Sequence, residues 1–175
     1  VFYAFVIIPL LEWRLKQPNT IYSDKEIEGR LKNKLFDLML YFNVPIVFGL
    51  LSYGLLTLHQ DVFATYERVG ILSSLGILLA TNAINVAHEL GHRLSRFERT
   101  LSKLLYMPCL YMHFFLEHNY GHHKNLATSD DPATARYNQP LYSFWISSVI
   151  NQYKNAWKIQ FRLLSSKQKS FFSFE

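Results

Sequence analysis

Cysteine is nearly missing from this sequence. Cys109 stands alone among 175 residues, which excludes an intramolecular disulfide framework and a thiolate-based zinc site. No charged leader or small-residue cleavage site accompanies the opening run "VFYAFVIIPLL", so that run is not a signal peptide. No internal repeat or low-complexity tract is present, which excludes a repeat array. An initiator Met is also lacking, and the chain stops at "FFSFE" without closing an element. We therefore expect an internal piece of a longer polypeptide, a single domain over residues 1–175 that is incomplete at both ends.

Apolar residues are what the sequence has in quantity: half of it is hydrophobic and 16% is aromatic. The run "FDLMLYFNVPIVFGLLSYGLLTL", residues 36–58, carries one acid, at its edge. At ~1.5 Å per residue it reaches about 35 Å, enough to cross a ~30 Å hydrocarbon core with some tilt. Pro45, at its middle, is tolerated in a membrane helix where neighbours satisfy the freed carbonyl. A second crossing is expected over residues 69–92, and residues 1–11 read as the end of an earlier one. Residues 104–117 are apolar but too short to span and contain Pro108, so a re-entrant or interfacial segment is expected there. Between residues 141 and 164, Trp145, Val149, Tyr153, Trp157 and Phe161 recur every four positions, with Lys154, Lys158 and Arg162 between them. That pattern predicts an amphipathic helix lying on a membrane surface.

Loop charges orient the crossings. Residues 14–35 carry six Lys and Arg against three acids, and residues 93–104 carry Arg93, Arg96, Arg99 and Lys103 against Glu98. Residues 59–68 carry only Arg68 against Asp61 and Glu67. The positive-inside rule then places the first and third loops in the cytoplasm.

The chemistry lies in two histidine groups. "HELGH" sets His88 and His92 one helical turn apart, so both project together. Asn82, Asn85 and Glu89 extend a polar strip along the same helix, and polar groups in an apolar crossing usually face a functional interior. Taken alone, the pair reads equally well as metal ligands or as interface histidines capping a membrane helix. "EHNYGHH" adds His118, His122 and His123 within six positions. In an α-helix His118 and His122 share a face, while His123 points elsewhere, toward a second ion. Of the other two histidines, His59 is expected in solvent and His113 as a hydrogen-bonded structural residue.

His-Glu-x-x-His is also the zinc box of metalloproteases, with Glu89 as base and Glu117 as a distant third ligand. That scheme leaves three imidazoles unexplained, too many for one tetrahedral zinc. Imidazole suits zinc, copper, iron and nickel alike. A site at the membrane favours an apolar substrate, and alkyl chains cannot be hydrolysed. Oxidative attack on a C–H bond with iron and dioxygen is the chemistry that fits.

"HELGHR", "FFLEHNYGHH" and "NLATSDDPATAR" resemble the membrane-bound alkane monooxygenases of the omega-hydroxylase type, within the integral-membrane di-iron desaturases and hydroxylases. The likeness is strongest from about residue 82 to residue 136. It implies an all-α, six-helix membrane bundle in a bacterial inner membrane, with the active site on the cytoplasmic side. It further implies two non-haem irons, dioxygen as co-substrate, and electrons from rubredoxin and its NAD(P)H-dependent reductase. Medium- or long-chain alkanes would be hydroxylated to 1-alkanols, with no nucleic-acid partner. His88, His92, His118, His122 and His123 match its iron ligands. Glu89 and Glu117 match motif carboxylates that orient ring N–H groups. Asp131 matches the acid after the second box, and reads equally as a turn residue before Pro132. The family's third His box and final His motif would lie beyond residue 175, so these residues alone are expected to be inactive. A fatty-acyl desaturase or xylene-type hydroxylase shares the His scaffold. Phe42, Phe48 and Leu78 are candidates for setting substrate length.

Overall fold

A computed structural model describes residues 6–15 and 22–170. Helices alone are formed among these residues, and the chain divides into two units, Val1–Asp37 and Leu38–Glu175. In the first unit, α1 (Ile8–Arg14) starts with Pro9 in its first turn, where a missing N–H costs nothing. Residues 1–5 of the expected first crossing, and residues 16–21 of the first basic loop, lie outside the described residues. α2 (Asp24–Leu31) begins at a capping box: Glu26 Oε2 accepts the Ser23 backbone N–H at 2.9 Å.

α3 (Lys34–Leu58) and α4 (Thr65–Leu78) are apolar and close together at Gly54, where a Cβ would come within 2.7 Å of Leu75. α4 runs through a π turn, Leu79–Ile84, into α5 (Asn85–Gly91), so Thr65–Gly91 is one helical rod. Asn43 Nδ2 donates to the Asn82 carbonyl at 2.6 Å, tying α3 to that π turn near Pro45. Asp24–Leu58 and Thr65–Gly91 contain stretches long and apolar enough to cross a membrane. Only 6% and 11% of those stretches are buried, where the core helix of a soluble protein would be mostly covered. This outward apolar surface is what lipid covers, and the chain is an all-α membrane protein.

α6 (Arg96–Tyr106) packs against α5. The back of α5 presents Ala87, Leu90 and Gly91, with Ala83 of the π turn before them, all buried, and the small ones let α6 approach. Ser102, fully buried on α6, donates to the Ala87 carbonyl at 2.6 Å. Leu105, Tyr106, Val47 and Phe115 complete this core.

The apolar stretch 104–117 is not one rod. α6 ends in a turn over residues 107–110 containing Pro108, with Leu110 at φ 52°, and α7 (Met112–Glu117) follows. A second π turn, His118–His122, leads into α8 (His123–Asn125). After the turns of residues 126–139, α9 (Leu141–Ser166) returns along α7. The aromatic stripe predicted for α9 faces outward, each of its five members about half exposed. The helix buries instead Ser148, Gln152, Ala156 and Ile159, its small and polar face.

The α5–α6 seam sets a stability test. A Cβ at Gly91 would sit 3.1 Å from Ser102 Oγ and 3.5 Å from Phe115. Gly91→Val is expected to overpack the seam by about 1–3 kcal/mol, with Gly91→Ala milder. Thermal unfolding in detergent measures this, and a Gly91→Val protein as stable as wild type would show that the seam is looser than described.

Candidate metal centre

The front of α5 carries His88, and His92 caps its C-terminus, one turn on. The π turn after α7 delivers His118, and His123 follows at its end. Their Nε2 atoms converge: His88 and His118 lie 2.7 Å apart, His88 and His92 3.1 Å, His92 and His118 3.2 Å, and His118 and His123 3.2 Å. The His88, His92 and His118 nitrogens form a group able to hold one ion. Nitrogens bound at ~2.0–2.1 Å and a right angle to a common ion stand about 3 Å apart, so this donor set fits a metal.

The expected pairing of His118 with His122 is half right. Their rings stack at 5.2 Å with planes 17° apart, so they do share a side. The nitrogen that meets His118, however, belongs to His123. The cause is the π turn, in which the His123 N–H bonds the His118 carbonyl five residues back. Residues five apart thereby become neighbours.

His122 is directed to Asp131. Its Nδ1 lies 2.9 Å from Asp131 Oδ2. Burial works against ionisation of Asp131, but the Thr134 hydroxyl, the Ala133 N–H and His122 together hold its pKa below the usual carboxylate value. An ionised carboxylate only accepts, so Nδ1 carries a proton, and in the neutral ring Nε2 is then the nitrogen with the lone pair. Asp131 also accepts from the backbone of its own turn, so the turn role and the His contact coexist.

His118 is pushed down to about 3, first by burial and then by His88, His123, His92 and His122. Burial and the neighbouring His92 and His122 lower His123 as well. Both rings are thus neutral at physiological pH, the form in which imidazole ligates.

The carboxylates of the motifs sit apart from this convergence. Glu89 is half exposed and its Oε1 pairs with Arg93 at 3.1 Å. Glu117 is fully buried, and its Oε1 accepts from Asn155 Nδ2 at 3.2 Å. Asn82 and Asn85 are exposed, as is His59. His113 corrects its expectation: it is wedged edge-on between the Tyr111 and Tyr153 rings, and its buried Nε2 has no hydrogen-bond partner among the described residues. Of the three residues suggested to gauge substrate, Phe42 is exposed, while Phe48 and Leu78 are half-buried.

Reading the motifs alone missed the site's surroundings. Phe114 lies flat on His118, ring centroids 4.9 Å apart and planes 17° apart, and forms an apolar floor. Its place four residues before His118 on a helical path was a legible signal. Tyr120, whose hydroxyl accepts from Arg99 Nη2 at 2.9 Å, and Asn155 carried no such signal. The basic loop is also less free than its charge suggests, since Arg93 pairs with Glu89 and Arg99 and Lys103 lie over the Phe115 ring.

The chain is similar to known proteins over most of its length. Alkane 1-monooxygenase of Pseudomonas putida is 30% identical over 181 residues, matching all of this chain and 45% of its own length. Alkane 1-monooxygenase 1 of Alcanivorax borkumensis is 30% identical over 97% of the chain and 42% of its own length. The hydroxylase component of a xylene/toluene monooxygenase of Pseudomonas putida is 30% identical over 83% of the chain and 41% of its own length. The chain thus spans less than half the length of these curated relatives. The fatty acid desaturase family model matches residues 64–174, which hold both His groups, the turn of Asp131 and all of α9. With the match covering well over half of the sequence, the chain belongs to the fatty acid desaturase family.

Proposed function

We propose that these residues form part of a membrane monooxygenase that hydroxylates the terminal carbon of alkanes at a pair of non-haem irons. The observation that carries this reading is the convergence of the His88, His92 and His118 nitrogens from two separate helical turns, with the His123 nitrogen beside that of His118. The names of the alkane 1-monooxygenase relatives support the substrate class. His88, His92 and His118 would hold one ion. His122, with Nδ1 engaged by Asp131, offers Nε2 to the other. Further ligands would come from chain beyond residue 175. When bound, the iron pair supplies dioxygen activation, which imidazoles and carboxylates alone cannot provide.

The residues of this chain have their own tasks. Asp131 keeps the proton of His122 on Nδ1 and so fixes which nitrogen faces the metal. Phe114 covers one face of His118 and keeps water from it. The apolar surfaces of Asp24–Leu58 and Thr65–Gly91 open the site to substrate dissolved in the bilayer. A narrow apolar approach selects the chain end by geometry, because a terminal methyl arrives before the weaker internal C–H bonds. Phe48 and Leu78, half-buried, are better placed than exposed Phe42 to shape that approach. Electrons would come from a rubredoxin, the His site facing the cytoplasm of a bacterial inner membrane, as the basic loops suggest. The outward stripe of Trp145, Tyr153, Trp157 and Phe161 supports a position for α9 at the membrane surface.

A second reading shares the His scaffold and differs in substrate, being favoured by the xylene/toluene relative and by the family model itself. Products from octane, toluene and an acyl thioester separate the two. 1-Octanol as the main product is expected, and oxidation confined to toluene or the acyl chain would overturn the alkane reading. The pairing of Glu89 with Arg93 weighs against the protease reading, in which Glu89 would be the base.

Metal content tests the centre itself. The complete detergent-purified protein is expected to hold about two irons per chain and little zinc. One zinc and no iron would refute the proposal. His118→Ala removes the nitrogen that contacts three others and should abolish turnover together with most of the iron. Asp131→Ala is expected to weaken iron retention about 10–100-fold without unfolding the protein. Retention equal to wild type in a chelator challenge would show that the Asp131–His122 contact belongs only to the turn.

A further inference from the structure

Glu117 immediately precedes the π turn that carries the second histidine group, and it is sealed from solvent. One of its oxygens, Oε2, has no partner among the described residues, while Oε1 accepts from Asn155 Nδ2 at 3.2 Å. Asn155 belongs to α9, an element that supplies none of the candidate ligands. Between the two side chains runs the backbone of Gly121. A Cβ there would lie 2.7 Å from Glu117 Oε1, 2.7 Å from Asn155 Nδ2 and 3.1 Å from Ile159. The Asn155–Glu117 bond therefore closes tightly over the π turn at the one residue that has no side chain.

A π turn is the less stable helical register and persists where its surroundings impose it. This one determines which histidine meets His118. An α-helical register would bring His122, four residues on, to the place that His123 occupies. It would also pull His122 from Asp131.

We propose that Asn155 is a positioning residue of the metal centre. Through Glu117 and the backbone of Gly121 it holds the turn His118–His122 in its π register. His118 and His123 then aim with His88 and His92, and His122 aims at Asp131. This role rests on the di-iron reading above. Asn155 touches none of the converging nitrogens, so its influence is carried wholly by the turn.

The test uses the complete, iron-loaded protein. Asn155→Ala should speed iron loss to a chelator by about 10-fold or more and change the Mössbauer spectrum of the iron that remains. It should lower kcat with KM for the hydrocarbon unchanged. The double substitution Glu117→Gln with Asn155→Asp rebuilds the hydrogen bond with donor and acceptor exchanged, and should recover the wild-type spectrum and iron retention. An Asn155→Ala protein with unaltered spectrum and retention would overturn the role, even if its thermal stability fell. Should Asn155→Ala fail to fold, the exchanged pair decides: a folded protein whose iron spectrum stays altered would equally overturn it. Wild-type protein that binds no iron would sink the di-iron reading instead, a result visible before any substitution is made.

Discussion

Uncoordinated imidazole nitrogens do not gather of their own accord. Two neutral rings 2.7–3.2 Å apart can share one N–H, but the mutually close Nε2 atoms of His88, His92 and His118 cannot all be paired that way, since each either donates or accepts. A metal ion is the partner that suits all three, and the fold can be read as the apparatus that holds these nitrogens together. One side of α5 carries His88, and His92 follows at its cap. The other side buries Ala87, Leu90 and Gly91, whose small members let α6 press against it. Ser102 fastens that contact from α6 to the Ala87 carbonyl. Phe115 and Leu105 fill what is left, and α7 emerges from that core with the second histidine group at its end.

The bilayer is the second constraint and accounts for what a soluble reading would find wrong. Leu50, Leu55, Leu56, Val69 and Leu72 are about half exposed or more, which in water would invite aggregation and in lipid is simply the outer surface. Polar side chains on these helices are correspondingly occupied. Thr57, Ser73, Ser74 and Thr81 return their hydroxyl protons to carbonyls four residues back, and Asn43 reaches across to the Asn82 carbonyl. α9 differs in kind. Its buried face is polar and small, its outer face aromatic, and its cations lie beside that stripe.

Much of this was legible because apolar run length and histidine spacing are local properties. The rods over residues 36–58 and 69–92 and the helix from residue 141 all follow from them, and each appears close to its expected place. Contacts that join distant parts of the chain were not legible. Nothing in "NQYKNAW" announces that Asn155 bonds Glu117, 38 positions earlier. His113 likewise looked like a residue with a hydrogen bond to make, yet it is held by ring packing against Tyr153 from another helix. Partners of that kind are chosen by tertiary packing, which leaves no periodicity behind.

The histidines of the second group show where local reasoning reaches its limit. Four-residue spacing is the right rule for an α-helix, and it correctly puts the His118 and His122 rings side by side. The direction of each nitrogen depends on a smaller change, one extra residue in the turn, which sequence periodicity does not record. That residue exchanges the roles of His122 and His123: the first is turned to a carboxylate and the second to the shared centre. Both π turns of the second unit stand beside a histidine group, one leading into "HELGH" and one within "EHNYGHH". A wider turn costs stability, so its recurrence at both places argues that the register of the ligands, rather than the regularity of the rods, is what these helices are shaped to provide.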